Sequence, residues 1–234
     1  MPNSWFRFKQ FTVGQDLCAM KVGTDGVLLG AWTNIRDAET ILDAGTGTGL
    51  IALMLAQRSQ GRIDAIDIDE GAFRQAELNF RQSPFAERLR SVHVALQDYH
   101  PTKHYDLIVS NPPYFSQSLP SPDESRTTAR HDDNLSLDEL INHSVRLLSH
   151  KGRICLILPS ERIDDALASA SNHGLFLIRK ILVCPTVSSP PKRVLLEFSR
   201  IHRTMEEDEL AIEKERHVYT EAFIGLTKAY YMKM

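Results

Sequence analysis

Residues 110 to 115 read Ser-Asn-Pro-Pro-Tyr-Phe and end a short apolar run. The side-chain carbonyl of Asn111 and the backbone carbonyl of Pro112 are hydrogen-bond acceptors, and the two prolines make the turn rigid. Two rigid acceptors can each accept one N–H of an –NH₂ group, while an adjacent aromatic ring stacks on a flat substrate. The predicted catalytic residues are Asn111, Pro112, Pro113 and Tyr114. The alternative interpretation is a proline-stiffened turn without a substrate.

A second candidate site lies in the glycine-rich stretch Asp43-Ala44-Gly45-Thr46-Gly47-Thr48-Gly49. Glycines let the backbone adopt positive φ and approach a ligand closely. The dinucleotide fingerprint fails because Leu50 occupies its third glycine position, and a phosphate loop fails because no lysine follows. Asp67 ends the next apolar run, where a carboxylate can accept both hydroxyls of a ribose. The predicted cofactor is S-adenosyl-L-methionine, bound by Asp43, Gly45, Gly47, Gly49 and Asp67. A tight turn without a ligand is the alternative.

Together the two stretches predict methyl transfer to nitrogen. The lone pair of an amide or base amine is delocalised and weakly nucleophilic, and hydrogen bonds from both of its N–H groups favour a pyramidal nitrogen. A sulfonium methyl can then transfer in line, with positioning supplying most of the rate. No strong general base is needed, because the proton becomes acidic only after attack.

The elements that must position these residues alternate along the chain from about residue 40. The predicted strands are Thr40–Asp43, Arg62–Asp67, Ser91–Ala95, Tyr105–Val109, Arg153–Leu158, Phe176–Val183 and Arg193–Phe198. The predicted helices are Leu50–Gln57, Glu70–Arg81 with Asp69 as its cap, Leu135–Ser149 and residues 161–172. This alternation predicts an α/β, Rossmann-like, doubly wound, mostly parallel seven-stranded sheet with one antiparallel strand at its edge. Both candidate turns lie at carboxyl strand ends, where such sheets bind ligands.

We expect one domain over residues 1–234, with a core at 40–200. Residues 1–39 are expected to contribute to the cofactor and substrate site, and residues 201–234 to form a charged segment and a closing helix. The polar stretch 116–134 predicts a long loop, the charged stretch 205–216 a solvated segment, and Tyr219–Tyr230 an amphipathic helix.

Composition excludes several classes of protein. Apolar residues make up 42% of the 234 residues and charged residues 24%, which argues against a disordered chain. No apolar run is long enough for a membrane span, and the first residues lack a secretory signal. The three cysteines include no C-x-x-C pair, which argues against a disulfide framework or a zinc site, and Pro101 argues against a metal site at His100 and His104. We therefore expect a cytoplasmic protein without a metal.

The stretches "ILDAGTGTG", "IDAIDID" and "DLIVSNPPYF" resemble those of class I S-adenosylmethionine-dependent methyltransferases with an N-P-P-Y motif. A narrower resemblance covers nearly the whole chain. "FKQFTVGQDLCAMKVGTDGVLLGAW", "ARHDDNLSLDEL", "RVLLEFS" and "YTEAFIGLTKAYY" are similar to the bacterial tRNA1(Val) adenine-N6 methyltransferases. The resemblance implies methylation of adenine 37 in the anticodon loop, with the glycines and Asp67 holding the cofactor and Asn111 to Tyr114 holding the adenine amine.

The resemblance also implies cofactor roles for residues outside the main motifs. The segment 21–25 matches one that lies against the methionine end of the cofactor in related enzymes, which points to Thr24 and Asp25. Thr24 is equally suited to cap a helix from Asp25 to Trp32. Relatives place an acid after the third strand of the core, where this chain has Leu96, so Gln97, Asp98 or backbone groups are expected to contact the cofactor's adenine instead.

A net charge of −3 is unusual for a protein that meets tRNA phosphates. Three local groups of cations could nevertheless bind phosphates, and all three can lie around the acceptor site. The predicted tRNA contacts are Arg7, Lys9, Arg126, Arg130, His131, Lys192 and Arg193. Ordinary surface charge is the alternative interpretation of each one.

Other functions are compatible with the same chemistry. The N-P-P-Y pattern also serves enzymes that methylate a protein glutamine at N5 or a base amine in rRNA. Glutamine methyltransferases of release factors usually carry a helical domain ahead of the core, where this chain has about 40 residues. A non-catalytic binding module is disfavoured by the intact Asn111-Pro112-Pro113 and glycine turn.

Overall fold

The computed structural model of the protein describes residues 3–113 and 135–233. Its strands are β1 (Trp5–Arg7), β2 (Thr12–Gly14), β3 (Thr40–Ala44), β4 (Arg62–Asp67), β5 (Leu89–His93), β6 (Tyr105–Ser110), β7 (Leu148–Pro159), β8 (Phe176–Thr186), β9 (Arg193–Ser199), β10 (Glu206–Glu215) and β11 (Val218–Tyr219). Its α-helices are α1 (Thr24–Trp32), α2 (Leu50–Arg58), α3 (Glu70–Arg81), α4 (Leu137–Leu147), α5 (Ile163–Asn172) and α6 (Glu221–Thr227).

Nine of the strands in the described ranges form one sheet, in the order β11-β10-β8-β9-β7-β6-β3-β4-β5. The strands from β8 to β5 are the seven predicted from the sequence. Strands β3, β4, β5, β6, β7, β8 and β10 run parallel, while β9 is antiparallel to both of its neighbours and β11 to β10. The mostly parallel α/β fold is therefore confirmed.

Both faces of the sheet are covered, because its central strands are apolar on both sides. On β7, Cys155 and Ile157 join a cluster with α1 and α2, while Ile154 and Leu156 join a second cluster with α4 and α5. These four side chains are fully buried, and each buried aliphatic side chain contributes roughly 2 kcal/mol. The two layers hold the strand ends, and hence the candidate turns, in fixed relative positions.

Helix starts follow local sequence signals. The carboxylate of Asp69 accepts the backbone N–H of Ala72 at 2.7 Å, which confirms the predicted cap of α3. A capping box of Ser136 and Glu139 starts α4. At α1 the capping residue is Gly23, and no side chain caps the helix, so the predicted cap at Thr24 is wrong.

Several predicted boundaries are corrected. Strand β5 starts two residues before the predicted one, and α4 ends at Leu147 because Leu148 already pairs with Tyr105 as the first residue of β7. The antiparallel strand β9 lies between β7 and β8, not at an edge. The closing helix is limited to α6, where the hydroxyl of Thr220 accepts the N–H of Phe223.

Residues 206–215 form strand β10, which the sequence did not predict, although most of the stretch 205–216 is exposed, as expected of a solvated segment. Strand β10 pairs in parallel with β8, and the ammonium of Lys180 lies 2.8 Å from the carboxylate of Glu207 across the pair. Leu210 is buried in the core cluster of α1 and α2. The adjacent strand, which is distant in sequence, therefore imposes the extended conformation and extends the predicted seven strands to nine.

The predicted loop 116–134 lies entirely outside the described residues, as do Tyr114, Arg126, Arg130 and His131. The single-domain organisation stays a prediction. Among the described residues, no helix has the length and apolar character needed to cross a membrane.

Candidate active site

The glycine turn joins β3 to α2 and has a backbone that other residues rarely adopt. Gly45, Gly47 and Gly49 have φ of 73°, 56° and 80°, all in the left-handed region. A Cβ at Gly45 would meet nothing within 4 Å, whereas one at Gly49 would lie 2.5 Å from the ring of Phe80. Glycine is therefore needed for conformation at all three positions, and for packing as well at Gly49. The backbone at Gly45 remains open to a ligand.

Asp67 connects the end of β4 to this turn. One carboxylate oxygen accepts the N–H of Gly47 at 2.8 Å, and the other accepts the N–H of Asp69 at 2.9 Å. Burial raises the pKa of Asp67, and these backbone N–H groups oppose the rise. The carboxylate is half-buried, so part of it faces solvent at the strand end, where the sequence predicted a ribose contact.

Asp43 ends β3 beneath the turn and is fully buried. One oxygen accepts the hydroxyl of Thr46 at 2.7 Å and the N–H of Ala52 at 3.1 Å. Its other oxygen, Oδ1, is buried without a hydrogen-bond partner among the described residues. Burial raises the pKa of Asp43 to about 7, and the negative charge of Asp67 adds to the rise. An unpartnered buried carboxylate is costly unless a cation or a proton satisfies it.

This arrangement fits S-adenosyl-L-methionine. The cofactor carries a cationic sulfonium and an ammonium, which suit a region with two carboxylates and no cationic side chain bonded to either of them within the described chain. Its ribose suits a carboxylate at the end of β4. The open backbone at Gly45 allows the close approach that the sequence predicted.

The acceptor stretch lies next to the glycine turn, because β6 pairs with β3. The hydroxyl of Ser110 donates to the backbone carbonyl of Ala44 at 2.7 Å and so ties the two strand ends together. Asn111 and Pro112 follow directly and are half-buried, while Pro113 is exposed. The structure thus brings the predicted acceptor residues to the same edge as the cofactor turn.

Thr24 and Asp25 lie at the start of α1. The carboxylate of Asp25 accepts the Nε–H of Arg193 at 2.8 Å, and Thr24 is exposed. Arg193 begins β9, which runs antiparallel, so this end of the strand lies at the carboxyl edge of the parallel sheet. A predicted cofactor residue and a predicted tRNA contact are therefore joined by an ion pair at the ligand edge.

After β5 the chain turns back over the sheet. Leu96 is buried, Gln97 is half-buried and Asp98 is exposed, and the carbonyls of Leu96 and Gln97 accept N–H groups of Arg146. This places both predicted adenine contacts after β5, and their roles stay predictions. His100 also contacts Arg146, at 2.9 Å, and the described chain contains no group of residues suited to a metal.

Two hydrogen-bonded groups were missed from the sequence, one beside the cofactor turn and one in the amino half of the sheet. On α3, Asn79 and Gln75 bond to the N-terminal segment and to the glycine turn. Beneath the segment after β5, Asp64 accepts the hydroxyls of Tyr99 and Tyr105 at 3.1 and 2.5 Å. The only available sequence signal was polar residues at positions where the helix or strand pattern predicts burial.

Comparison with solved structures defines the class. A predicted O-methyltransferase from Agrobacterium tumefaciens has a TM-score of 0.68 at 16% identity, over 88% of this chain and 96% of that one. Pyrococcus horikoshii TYW2, in complex with MeSAdo, has a TM-score of 0.60 at 12% identity, over 83% and 70%. The fold is that of class I S-adenosylmethionine-dependent methyltransferases, and the model of the methyltransferase small domain family matches residues 22–164.

Sequence relatives narrow the class. Proteins named tRNA1(Val) (adenine(37)-N6)-methyltransferase are 49% identical in Parabacteroides distasonis, with full coverage of both chains, and 47% identical in Flavobacterium psychrophilum, over 98% of this chain and all of that one. One from Trichodesmium erythraeum is 46% identical over the full length of both chains. This chain belongs to the family of tRNA1(Val) (adenine(37)-N6)-methyltransferases.

Proposed function

We infer that the protein transfers a methyl group from S-adenosyl-L-methionine to N6 of an adenine in tRNA. The observation that carries this inference is the placement of Asn111-Pro112-Pro113 beside the glycine turn, in a chain nearly half identical to full-length relatives of that name. The finer target, adenine 37 of tRNA1(Val), is taken from the names of those relatives.

The residues of this chain divide into two roles. Asp67 accepts the ribose hydroxyls of the cofactor, Asp43 balances its positive charge, and the glycine turn lets its backbone approach. Thr24, Asp25, Gln97 and Asp98 complete the cofactor set as predicted from the sequence. When bound, the cofactor supplies an electrophilic methyl group.

The acceptor residues make the adenine amine reactive by position. Asn111 Oδ1 and the carbonyl of Pro112 each accept one N–H, which orients the nitrogen lone pair toward the methyl group. Tyr114 stacks on the flipped base, because a base must leave its stack to reach such a pocket. The prolines keep both acceptors rigid, so little entropy is lost when the base binds.

The proposed tRNA contacts are those predicted from the sequence, and the proposed location is the cytoplasm. Arg7, Lys9 and Lys192 are exposed, and Arg193 is ion-paired with Asp25. Arg126, Arg130 and His131 remain predictions in a segment outside the described residues. A tRNA carries many phosphates, so its binding is favoured by cations on several elements of the protein.

The test is methyl incorporation from labelled S-adenosyl-L-methionine into bulk tRNA from a strain lacking the native activity, followed by nucleoside analysis. We expect N6-methyladenosine in the valine tRNA. Asn111→Ala should bind the cofactor with unchanged affinity by calorimetry and lose methyl transfer by about 100-fold or more. Asn172→Ala, an exposed asparagine at the end of α5, is the matched control and should retain full activity.

Two outcomes would contradict the inference. Wild-type turnover by Asn111→Ala would remove its role in binding the amine. Labelling of rRNA or of a protein glutamine, with none in tRNA, would assign the same chemistry to another substrate.

A further inference from the structure

The N-terminal hairpin exposes an aromatic ring and cations along one strand. In β1, Trp5 is 53% exposed and Arg7 is also exposed, whereas Phe6 is half-buried and the next aromatic, Phe8, is buried. This is the alternation of a strand with one face on the core. The solvent face of such a strand is usually polar, but the largest outward side chain here is a tryptophan.

The hairpin lies next to the cofactor turn. Trp5 pairs with Gly14 of β2. Asn79 accepts the N–H of Gly14 at 2.8 Å and donates to the carbonyl of Thr48, in the glycine turn, at 2.8 Å. Trp5 is thus separated from the turn by one strand and one side chain. The strand that carries this exposed ring is therefore joined to the cofactor turn through β2 and Asn79.

The connection from β2 to α1 also exposes apolar side chains beside a cation. Leu17 and Met20 are 48% and 52% exposed, and Lys21 is exposed beside them. The buried side chain of Gln15 holds this connection against the start of the hairpin, since it donates to the carbonyl of Asn3 and accepts the N–H of Val22. We define six exposed side chains of this N-terminal segment as the N-terminal platform: Trp5, Arg7, Lys9, Leu17, Met20 and Lys21.

The cations of the platform form no ion pair within the described parts of the chain. The ammonium of Lys9 does donate a hydrogen bond to the backbone carbonyl of Lys228 at 2.5 Å, but this acceptor carries no net charge. Residues 3–21 contain three cations and one acid, the exposed Asp16, so the platform has a net positive charge around exposed apolar groups. Single-stranded RNA is bound by this combination, because phosphates pair with cations while unstacked bases stack on aromatic rings.

The distribution of charge over the fold also favours RNA binding on the side of the N-terminal platform. Strand β10 carries the exposed acids Glu206, Glu207, Asp208 and Glu209 near one edge of the sheet. The hairpin packs on α3, which packs on β4 and β5 at the other edge. A polyanion is repelled from the β10 edge and attracted to the platform, which reconciles the net charge of −3 with an RNA substrate.

We propose that the N-terminal platform binds the single-stranded tRNA loop that flanks the target adenine, with Trp5 stacking on a neighbouring base. This rests on the proposed function and adds the residues that hold the loop while the target base is extruded. Trp5 does not contact the reacting atoms. Its removal is therefore expected to weaken tRNA binding and leave the chemical step unchanged.

Tryptophan fluorescence gives a direct test, because Trp32, the other tryptophan, is buried under the guanidinium of Arg179. Addition of tRNA should quench the wild-type emission, and Trp5→Phe should lose that change while retaining most of the affinity. Trp5→Ala should raise the Kd for tRNA about tenfold, as expected for one lost stack, with unchanged cofactor affinity and unchanged turnover at saturating tRNA. Phe176→Ala, an exposed aromatic at the amino end of β8, is the matched control and should change neither value.

A second variant tests the charge. Arg7→Ala should reduce the slope of log Kd against log salt by about 0.7, as expected for one lost phosphate contact. Arg216→Ala, an exposed arginine beside β10, should leave the slope unchanged.

The outcomes separate this proposal from the function on which it rests. If the wild-type protein methylates tRNA but Trp5→Ala binds tRNA within twofold of wild type, the platform proposal fails alone. If the wild-type protein methylates no tRNA, the proposed function fails. If light scattering shows a wild-type dimer that Trp5→Ala dissociates without a change in tRNA affinity, the platform is a contact between copies of this chain, which would overturn the proposal.

Discussion

At the scale of single residues, the site depends on a carboxylate whose ionisation the fold opposes. Asp43 is fully buried, one of its oxygens has no partner in the described chain, and Asp67 lies close enough to add repulsion. Burial therefore raises its pKa to about 7. The fold tolerates this cost at a position where a cationic cofactor is expected, in agreement with the tendency of perturbed acids to cluster at functional sites.

A pH dependence follows for the cofactor-free protein. The folded pKa of Asp43 is above that of an unfolded aspartate, so the folded state binds the proton more tightly. The stabilisation of the folded state by this bound proton is complete below about pH 4 and is lost as pH rises to about 7. Asp43→Asn removes this titration with little change in shape. Between pH 4 and pH 8, the free energy of unfolding of the wild type should fall by roughly 2–4 kcal/mol more than that of Asp43→Asn. Urea unfolding at each pH measures this difference. Parallel stability curves for the two proteins would refute the assignment.

At the scale of elements, α3 works as a hydrogen-bonding support. Gln75 and Asn79 are four residues apart and share the buried face of the helix, where apolar residues are usual. Gln75 accepts the N–H of Leu17, and Asn79 bonds to both backbone groups of Gly14 and to the carbonyl of Thr48. One helix face thereby fixes the N-terminal segment relative to the cofactor turn.

Asn79→Ala tests this support. The alanine preserves or improves helix propensity but leaves three backbone groups without their partner, so the free energy of unfolding should fall by about 2–3 kcal/mol. Cofactor affinity, measured by calorimetry, should fall as well, because the turn loses its contact with the N-terminal segment. Arg74→Ala on the exposed face of the same helix breaks a surface pair with Glu70 and should cost less than about 1 kcal/mol. Equal stabilities for the two variants would show that the amide contacts contribute nothing.

At the scale of the whole molecule, a buried charge cluster joins the centre of the sheet to α1. Glu197 on β9 lies 2.5 Å from Arg153 on β7 and 2.9 Å from Arg179 on β8. The guanidinium of Arg179 lies 3.9 Å from the ring centroid of Trp32 and donates to the carbonyl of that residue at the end of α1. Three strands and a helix are thus coupled through one buried carboxylate.

Glu197→Gln should destabilise the whole protein, because two partly buried guanidinium groups would lose their buried counter-charge. Removal of one partner of a buried ion pair costs about 3–5 kcal/mol. Glu207→Gln is the matched control, since it breaks an ion pair with Lys180 at the exposed edge of the sheet and should cost less than about 1 kcal/mol. Denaturant unfolding of both variants gives the comparison. A loss below 1 kcal/mol for Glu197→Gln would show that water already solvates the cluster.

Local signals in the sequence were enough for the elements that carry the cofactor and acceptor turns. The glycines after β3, the cap at Asp69 and the continuous apolar runs of β4 and β6 act over a few residues, so the sequence predicted these elements within one residue of their bounds. The same signals predicted that both turns lie at carboxyl strand ends. Membership of the family also followed from the sequence, because its motifs are short and contiguous.

Contacts between distant residues decided the rest. Strand β10 is too acidic to be recognised as a strand alone and is held by backbone pairing with β8, and the hairpin of β1 and β2 depends on amides of α3 about 65 residues away. The pairing of Asp25 with Arg193, the position of β9 inside the sheet and the exposure of Trp5 likewise depend on which elements become neighbours. Sequence determined the chemistry because reactive groups and turn glycines act locally; tertiary structure determined the surroundings because packing joins residues that no local pattern connects.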